Sequence, residues 1–459
     1  MTLLRDLAAI LSRPPDPADR ARAAFHLVDW LGCAHAGAAE PAGRLLRADA
    51  LAEGTGAASV LGAPSCGAAA AAFANGGLGN VLEMDDVHRA AILHPGPVAI
   101  PAALAMAEAG DASGGALLDA IVIGYEAVIR VGRSLGPAHY ALWHNTASAG
   151  PFGSAAACGR LLGLDDDAMV RALGNAGTQV SGPWQCRNEP VMSKQLHTAR
   201  AAHAGLVAAR LAALGFTGPA AMLEGPQGLY AATAPDADPS RVTADPDGPF
   251  LLHETSFKPW PACRHAHAAI DAALLARGRI AGRPVEAIEV RTYADAATFC
   301  DRPEPRTPHE AKFSLQHAVA ATLVDGPPPL ALFEPDAIAR ADLADLRERT
   351  RVAVVPAFAD PYPDRYGSGL LVTLAEGEAI ETVVPDALGD PENPLSDERI
   401  VAKALALLDH AGVPEAEARA VIDAALALTE APDLRALTDA VARAGAHLPT
   451  PDAGLRHAA

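Results

Sequence analysis

The stretch LEMDDVHRAAILHPGP (82–97) sets Glu83, Asp85, Asp86, His88, Arg89 and His94 between apolar flanks. Carboxylates beside imidazoles are the groups that move protons near neutral pH. A plainer reading is a wet, acidic helix end. If 80–92 is helical, Asp85 faces His88 and Arg89 at i+3 and i+4, an ordinary ion pair. His94 fits that reading poorly. It precedes Pro95, which biases it toward extended backbone at an element boundary.

Four further stretches carry unusual polar residues. In HYALWHNTASAGPFGSAAACGRLLG (139–163), His144 and Asn145 precede a run of small residues that can open a helix. Free N–H groups there would attract a carboxylate, but small residues also serve tight helix packing, and that reading is favoured. In MSKQLHTARAAH (192–203), Lys194 stands at a helix start, where the macrodipole disfavours a cation. A ligand role explains it, and so does a solvated face shared with His197 and Arg200. FKPWPACRHAHAAIDAAL (257–274) holds Lys258, Cys263, His265 and His267. The Cys-x-His-x-His spacing converges only on a strand, whereas this segment soon turns helical, so zinc is not expected. In HEAKFSLQHAVAATLVDG (309–326), Lys312, Ser314 and His317 could be the polar rim of an ordinary helix.

Composition limits what these residues can serve. The 459-residue chain is 50% hydrophobic and carries a net charge of −19. That charge opposes nucleic-acid and anionic-membrane partners. It still allows a small acidic ligand where cations are concentrated. Only Lys194, Lys258, Lys312 and Lys403 of the 36 basic residues are lysine. A retained lysine can supply a compact or titratable charge that arginine cannot. The start MTLLRDLAAILSRPPDP lacks the pattern of a secretory signal, and no apolar run has spanning length. The six cysteines have no CxxC spacing and read as reduced thiols of a cytoplasmic protein.

Helical periods dominate residues 1–250, as in ALLDAIVIGYEAVIRVGRSLG (116–136), with Arg130 and Arg133 on a separate face, and in 193–219. Strand patterns follow at 285–293, at 349–355, and twice within 369–384 around a Gly-containing turn. Helix resumes at Ser396. The expected fold class is mainly α. A helical domain over 1–255 is followed by a smaller α+β domain over 256–392, and helices over 393–459 return to the first.

In order, the five segments, with GYEAVIR and GDPENPLS, resemble the MmgE/PrpD family over nearly the whole chain. That family includes 2-methylcitrate dehydratase, cis-aconitate decarboxylase and iminodisuccinate epimerase. The resemblance implies a large all-helical domain with a smaller α+β lid, a homodimer, and a site with neither metal nor organic cofactor. It implies proton removal from carbon next to a carboxyl or carbonyl group of a small polycarboxylate. His94 and His144 would transfer protons, with Asp85 orienting the bases. Lys194 and Lys258 would hold substrate carboxylates. Glu83, Asp86, His88, Cys263, His267 and His317 would complete the substrate site. The reaction expected first is dehydration of a hydroxy di- or tricarboxylic acid. Epimerisation and decarboxylation are the alternatives, and a non-catalytic binding protein is the remaining one. The chain departs from the family pattern at Asn80, Glu83, Val87, Gly96, Cys263 and His317. Those departures mark where its substrate is expected to differ from that of the best-known members.

Overall fold

The structure is a computed structural model in which residues 2–189 and 191–451 are described. Two compact units emerge: residues 1–255 with 396–459, and residues 256–395.

The first unit is helical apart from a short hairpin of β1 (Ala58–Val60) and β2 (Ala63–Cys66). Its long helices are Pro17–Ala39, Gly96–Ala109, Gly114–Gly132, Asn145–Leu161, Ser193–Ala213 and Asp397–His410. Their starts carry polar caps. Asp16 and Asp19 form a capping box, Ser113 accepts from Ala116 N, and Ser396 accepts from Arg399 N. Small residues set how closely the helices cross. A Cβ on Gly153 would lie 2.9 Å from Gly124 O, and one on Gly205 would lie 2.1 Å from Ser154 Oγ. The small residues after His144 therefore serve helix packing. The helix Asp397–His410 returns to the Pro17–Ala39 helix, where a Cβ on Gly32 would meet Ala404 Cα at 2.9 Å.

Arg130, on the helix face apart from the apolar one, is buried because the chain over 242–251 wraps across it. Its guanidinium donates to Glu126 Oε1 at 2.6 Å and to the carbonyls of Val242, Ala244 and Asp245. Glu126 Oε2 accepts from Leu251 N at 2.8 Å.

The second unit contains a four-stranded sheet ordered β4-β3-β5-β6. Its strands are β3 (Val285–Thr292), β4 (Thr350–Val354), β5 (Ser368–Leu374) and β6 (Ala379–Val384). β3 pairs parallel with β4 and antiparallel with β5, and β5 pairs antiparallel with β6. Burial alternates along β6, with Ile380, Thr382 and Val384 inward. The helix His267–Ile280 packs against β5 and β6. Among the described residues, no helix is long and apolar enough to cross a membrane.

Several histidines are core residues. His35 Nδ1 donates to Leu31 O at 2.8 Å, and His139 lies between Ser148 and Thr233. His265 bonds Tyr293 and stacks on Tyr366. Burial lowers His35 and His139 to about 4 and His265 to about 3. Such rings are neutral in the folded chain and gain a proton on unfolding below the ordinary histidine pKa. Stability is then complete above pH 6.5 and falls as pH drops.

Arg130→Met leaves the Glu126 carboxylate buried without its partner, a loss of about 3–5 kcal/mol in denaturant titration. A surface change such as Arg443→Ala alters stability by less than about 1 kcal/mol. Between pH 7 and pH 5, the unfolding free energy from urea titration falls by on the order of 1–2 kcal/mol for each neutral buried histidine, and the midpoint falls with it. A midpoint independent of pH over that window would contradict the neutral assignment.

Candidate active site

Residues 80–95 join the helix Ala68–Leu78 to the helix Gly96–Ala109 and are not helical. The helical reading of 80–92 is therefore corrected, and Asp85 does not pair with His88 or Arg89 through helical spacing. Glu83 and Ile92 have φ of +60° and +49°, a region that interrupts any helix and strains residues other than glycine. The loop is nonetheless buried, so its polar groups need partners. Side chains from other elements supply them. Asn145 Nδ2 donates to Ala91 O at 2.9 Å, and Lys403 Nζ donates to Met84 O at 2.6 Å. The backbones of His88 and Leu93 bond each other.

Asp86 anchors this loop. Its Oδ2 accepts from His26 Nδ1 at 2.8 Å and from Tyr125 OH at 2.6 Å, and its Oδ1 accepts from Gly96 N at 2.9 Å. Burial lowers His26 and, with Asp86 adding to it, raises Tyr125 well above the ordinary tyrosine value. Both are neutral donors to a fixed carboxylate. Gly96 belongs to the same network, since a Cβ there would lie 2.6 Å from Asp86 Oδ1. This departure from the family pattern acts on the Asp86 carboxylate. Val87, another departure, is a buried core side chain.

Asp85 faces His94. Its Oδ2 lies 2.9 Å from His94 Nδ1, which is also 3.0 Å from Asp86 O, and Asn80 Nδ2 donates to both Asp85 oxygens. Two acceptors at Nδ1 fix the proton there. The neutral ring then carries its lone pair on Nε2, the form a general base requires. His94 N donates to Thr146 Oγ1 at 3.0 Å, which ties the ring to the Asn145–Leu161 helix.

His144 precedes that helix, with its N donating to Gly182 O at 2.8 Å. Its ring is 6.2 Å from that of His94, edge-on, and stacks on Trp184 at 4.3 Å. Its Nδ1 lies 3.1 Å from Nδ1 of His197. Burial, then the charges of Lys194, His197 and His94, push His144 well below the usual histidine range. Burial and Lys194 bring His197 to about 4. Neither ring has a carboxylate behind it, so both stay neutral at pH 7.

Lys194, in the first turn of the Ser193–Ala213 helix, donates to Glu83 Oε1. The side chains of Lys194 and His94 keep 11% and 12% of their exposure, whereas Glu83 and Asp85 keep 4% and 1%. The base and the cation thus reach accessible space while their carboxylates sit behind them. His88 holds the turn instead. Its Nδ1 accepts from Ala91 N at 3.2 Å, and its Nε2 lies 3.5 Å from Glu254.

The first unit therefore gathers Glu83, Asp85, Asp86, His94, His144 and Lys194. Lys258, Cys263, His267 and His317 belong to the second unit. Lys258 and His267 are fully buried there, His267 Nε2 donates to Ala262 O, and Cys263 N donates to Lys312 O. His317 donates from Nε2 to Leu332 O at 2.7 Å and meets Arg347 Nη1 at 3.2 Å through Nδ1. Both its nitrogens are engaged, and burial holds it at about 4. This is the bonding of a packing histidine, as for the polar rim of an ordinary helix. Asp386, Asp390 and Glu392 lie within metal-ligating distance of one another, but Asp390 already binds Arg264, Ser256 and Ala387 N.

The sequence alone does not single out His26, Asp29, Tyr125 or Trp184, marks Lys403 only as one of four lysines, and offers His197 a solvated face as one reading. Signals existed. His26 and Asp29 interrupt an apolar helix, His197 stands three residues after Lys194, and Lys403 is one of four lysines. Lys403 Nζ also donates to Asp29 Oδ1 at 2.6 Å.

Comparison with known proteins agrees with the segment order. The MmgE/PrpD N-terminal domain profile matches residues 8–242, and the MmgE/PrpD C-terminal domain profile matches 260–428. Human cis-aconitate decarboxylase is 29% identical over 355 residues, covering 72% of this chain and 71% of its own. Cis-aconitate decarboxylase of Aspergillus terreus is 26% identical over 459 residues, covering 93% and 92%. The cis-aconitate decarboxylase-like protein oryM of Aspergillus oryzae is 29% identical over 422 residues, covering 85% and 87%. Together the two profiles span most of the chain, which belongs to the MmgE/PrpD family.

Proposed function

We propose that the protein is a cofactor-independent lyase. It removes a proton from carbon adjacent to a carboxylate of a small hydroxy di- or tricarboxylic acid and expels water. The observation that carries this reading is the Asp85–His94 contact, 2.9 Å at Nδ1, which leaves Nε2 of a partly exposed ring as the base. Lys194, held by Glu83, supplies positive charge for a substrate carboxylate and for the enolate-like charge that develops on proton removal. His144, kept neutral, serves as the acid that protonates the departing hydroxyl.

Decarboxylation is the second reading, favoured by the activity in the names of the three relatives. In it, loss of CO2 generates the carbanion, and an imidazolium or neutral imidazole N–H then protonates carbon. Cys263, one of the positions at which the chain departs from the family pattern, keeps dehydration first.

The test is turnover of a panel of hydroxy and unsaturated di- and tricarboxylates, followed by proton NMR of the products. An alkene with water lost supports dehydration, and loss of CO2 supports the second reading. For the substrate found, His94→Asn lowers kcat by on the order of 10²–10⁴. Lys194→Ala raises KM and lowers kcat, because it removes both the binding of a carboxylate and the charge that stabilises the developing enolate. Unchanged turnover in both variants would overturn the site assignment.

A further inference from the structure

His144 and His197 meet through the same atom, Nδ1 to Nδ1, at 3.1 Å. Two lone pairs cannot bond, and two N–H groups cannot either. One ring must carry the proton on that edge and the other must accept it. His144 is 2% exposed and stacked on Trp184, whereas His197 is only partly buried. The arrangement runs from a ring with access to the outside to one that lies 6.2 Å from His94.

We infer that His197 is the outer member of a two-imidazole proton relay that recharges His144. This rests on the reading of His144 as the group that protonates substrate. At rest, His197 donates Nδ1–H to His144 Nδ1, and His144 carries its own proton on Nε2. When His144 Nε2 gives that proton to the substrate, His197 passes its Nδ1 proton to His144 Nδ1. His197 takes a proton from water at Nε2 in the same step, and the hydroxide left is neutralised by the proton that His94 took from carbon and releases to solvent. Both rings stay neutral with exchanged tautomers until water in the emptied site returns a proton to His144 Nε2 and the transfers reverse. Without the relay, donation from a neutral His144 would leave an imidazolate. Of the charged and titratable groups facing the pair, Lys194 favours the neutral state of both rings and His94 that of His144. The His94 base differs in kind. Its Nδ1 proton is held by Asp85 and the Asp86 carbonyl, so it has no tautomer to exchange.

His197 acts through His144 and is therefore a positioning residue, which the test must separate from a structural one. His197→Asn keeps an amide that can bond His144 Nδ1 but cannot pass a proton through itself. His197→Ala opens space for added imidazole. The relay predicts that both variants lose on the order of 10–100-fold in kcat, with KM within about threefold. It also predicts that imidazole restores turnover in the Ala variant but not in the Asn variant. A His197→Asn protein with wild-type kcat, or a His197→Ala protein that imidazole does not rescue, would overturn it. A wild-type protein that turns over no carboxylic acid would overturn the functional reading instead. The pair is then decided without substrate, by nitrogen-15 spectra of labelled histidines at pH 7. One protonated and one bare Nδ1 is expected, and a bare Nδ1 on both rings would overturn the relay.

Discussion

The candidate site depends on a buried carboxylate that is fully partnered. Asp86, 2% exposed, binds an imidazole N–H, a phenol and a backbone N–H from three separate elements. A buried carboxylate lacking such partners is strongly unfavourable, so the partners and the loop geometry stabilise one another. Asp86 O also meets His94 Nδ1, so the same residue fixes the base through its backbone. Around it, Asn145, Thr146 and Lys403 serve the groups that a helix would have satisfied internally. A strained, non-helical loop persists in the core because side chains from neighbouring helices over-determine it.

This construction separates two kinds of histidine within one small region. His94 has a carboxylate at its back and presents a lone pair. His144 has another imidazole at its back, an aromatic ring over its face and a lysine nearby, and stays neutral. Carboxylate backing favours accepting a proton, whereas neutral backing lets the ring give one up. Different groups behind the two rings thus give a single residue type two hydrogen-bonding roles.

Periodicity made most elements legible. The helix expected over 116–136 is Gly114–Gly132, and strands expected at 285–293 and 349–355 are Val285–Thr292 and Thr350–Val354. Helical and strand periods reflect burial, which sequence records directly. The chemistry-bearing loop was harder, because 80–92 has spacing compatible with a helix, and only the positive φ at Glu83 and Ile92 shows why it is none. Residue types drew attention to His94 and Lys194, but their partners come from far along the chain. Lys403 reaches Met84 across 319 positions, and His197 reaches His144 across 53. Such pairings follow from helix packing, which no local pattern encodes. The same holds for His317. Its helix was evident, whereas the carbonyl and guanidinium that occupy its two nitrogens were not.

The central claim is proton transfer at carbon beside a carboxylate, with His94 as the base. The most direct measurement is turnover of substrate deuterated at that carbon, with mass and NMR analysis of the product. Loss of one deuterium from that carbon is expected, with a primary isotope effect on the rate, and His94→Asn slows that loss by on the order of 10²–10⁴. A product that keeps all its deuterium at that carbon, or loss at an unchanged rate in His94→Asn, would contradict it.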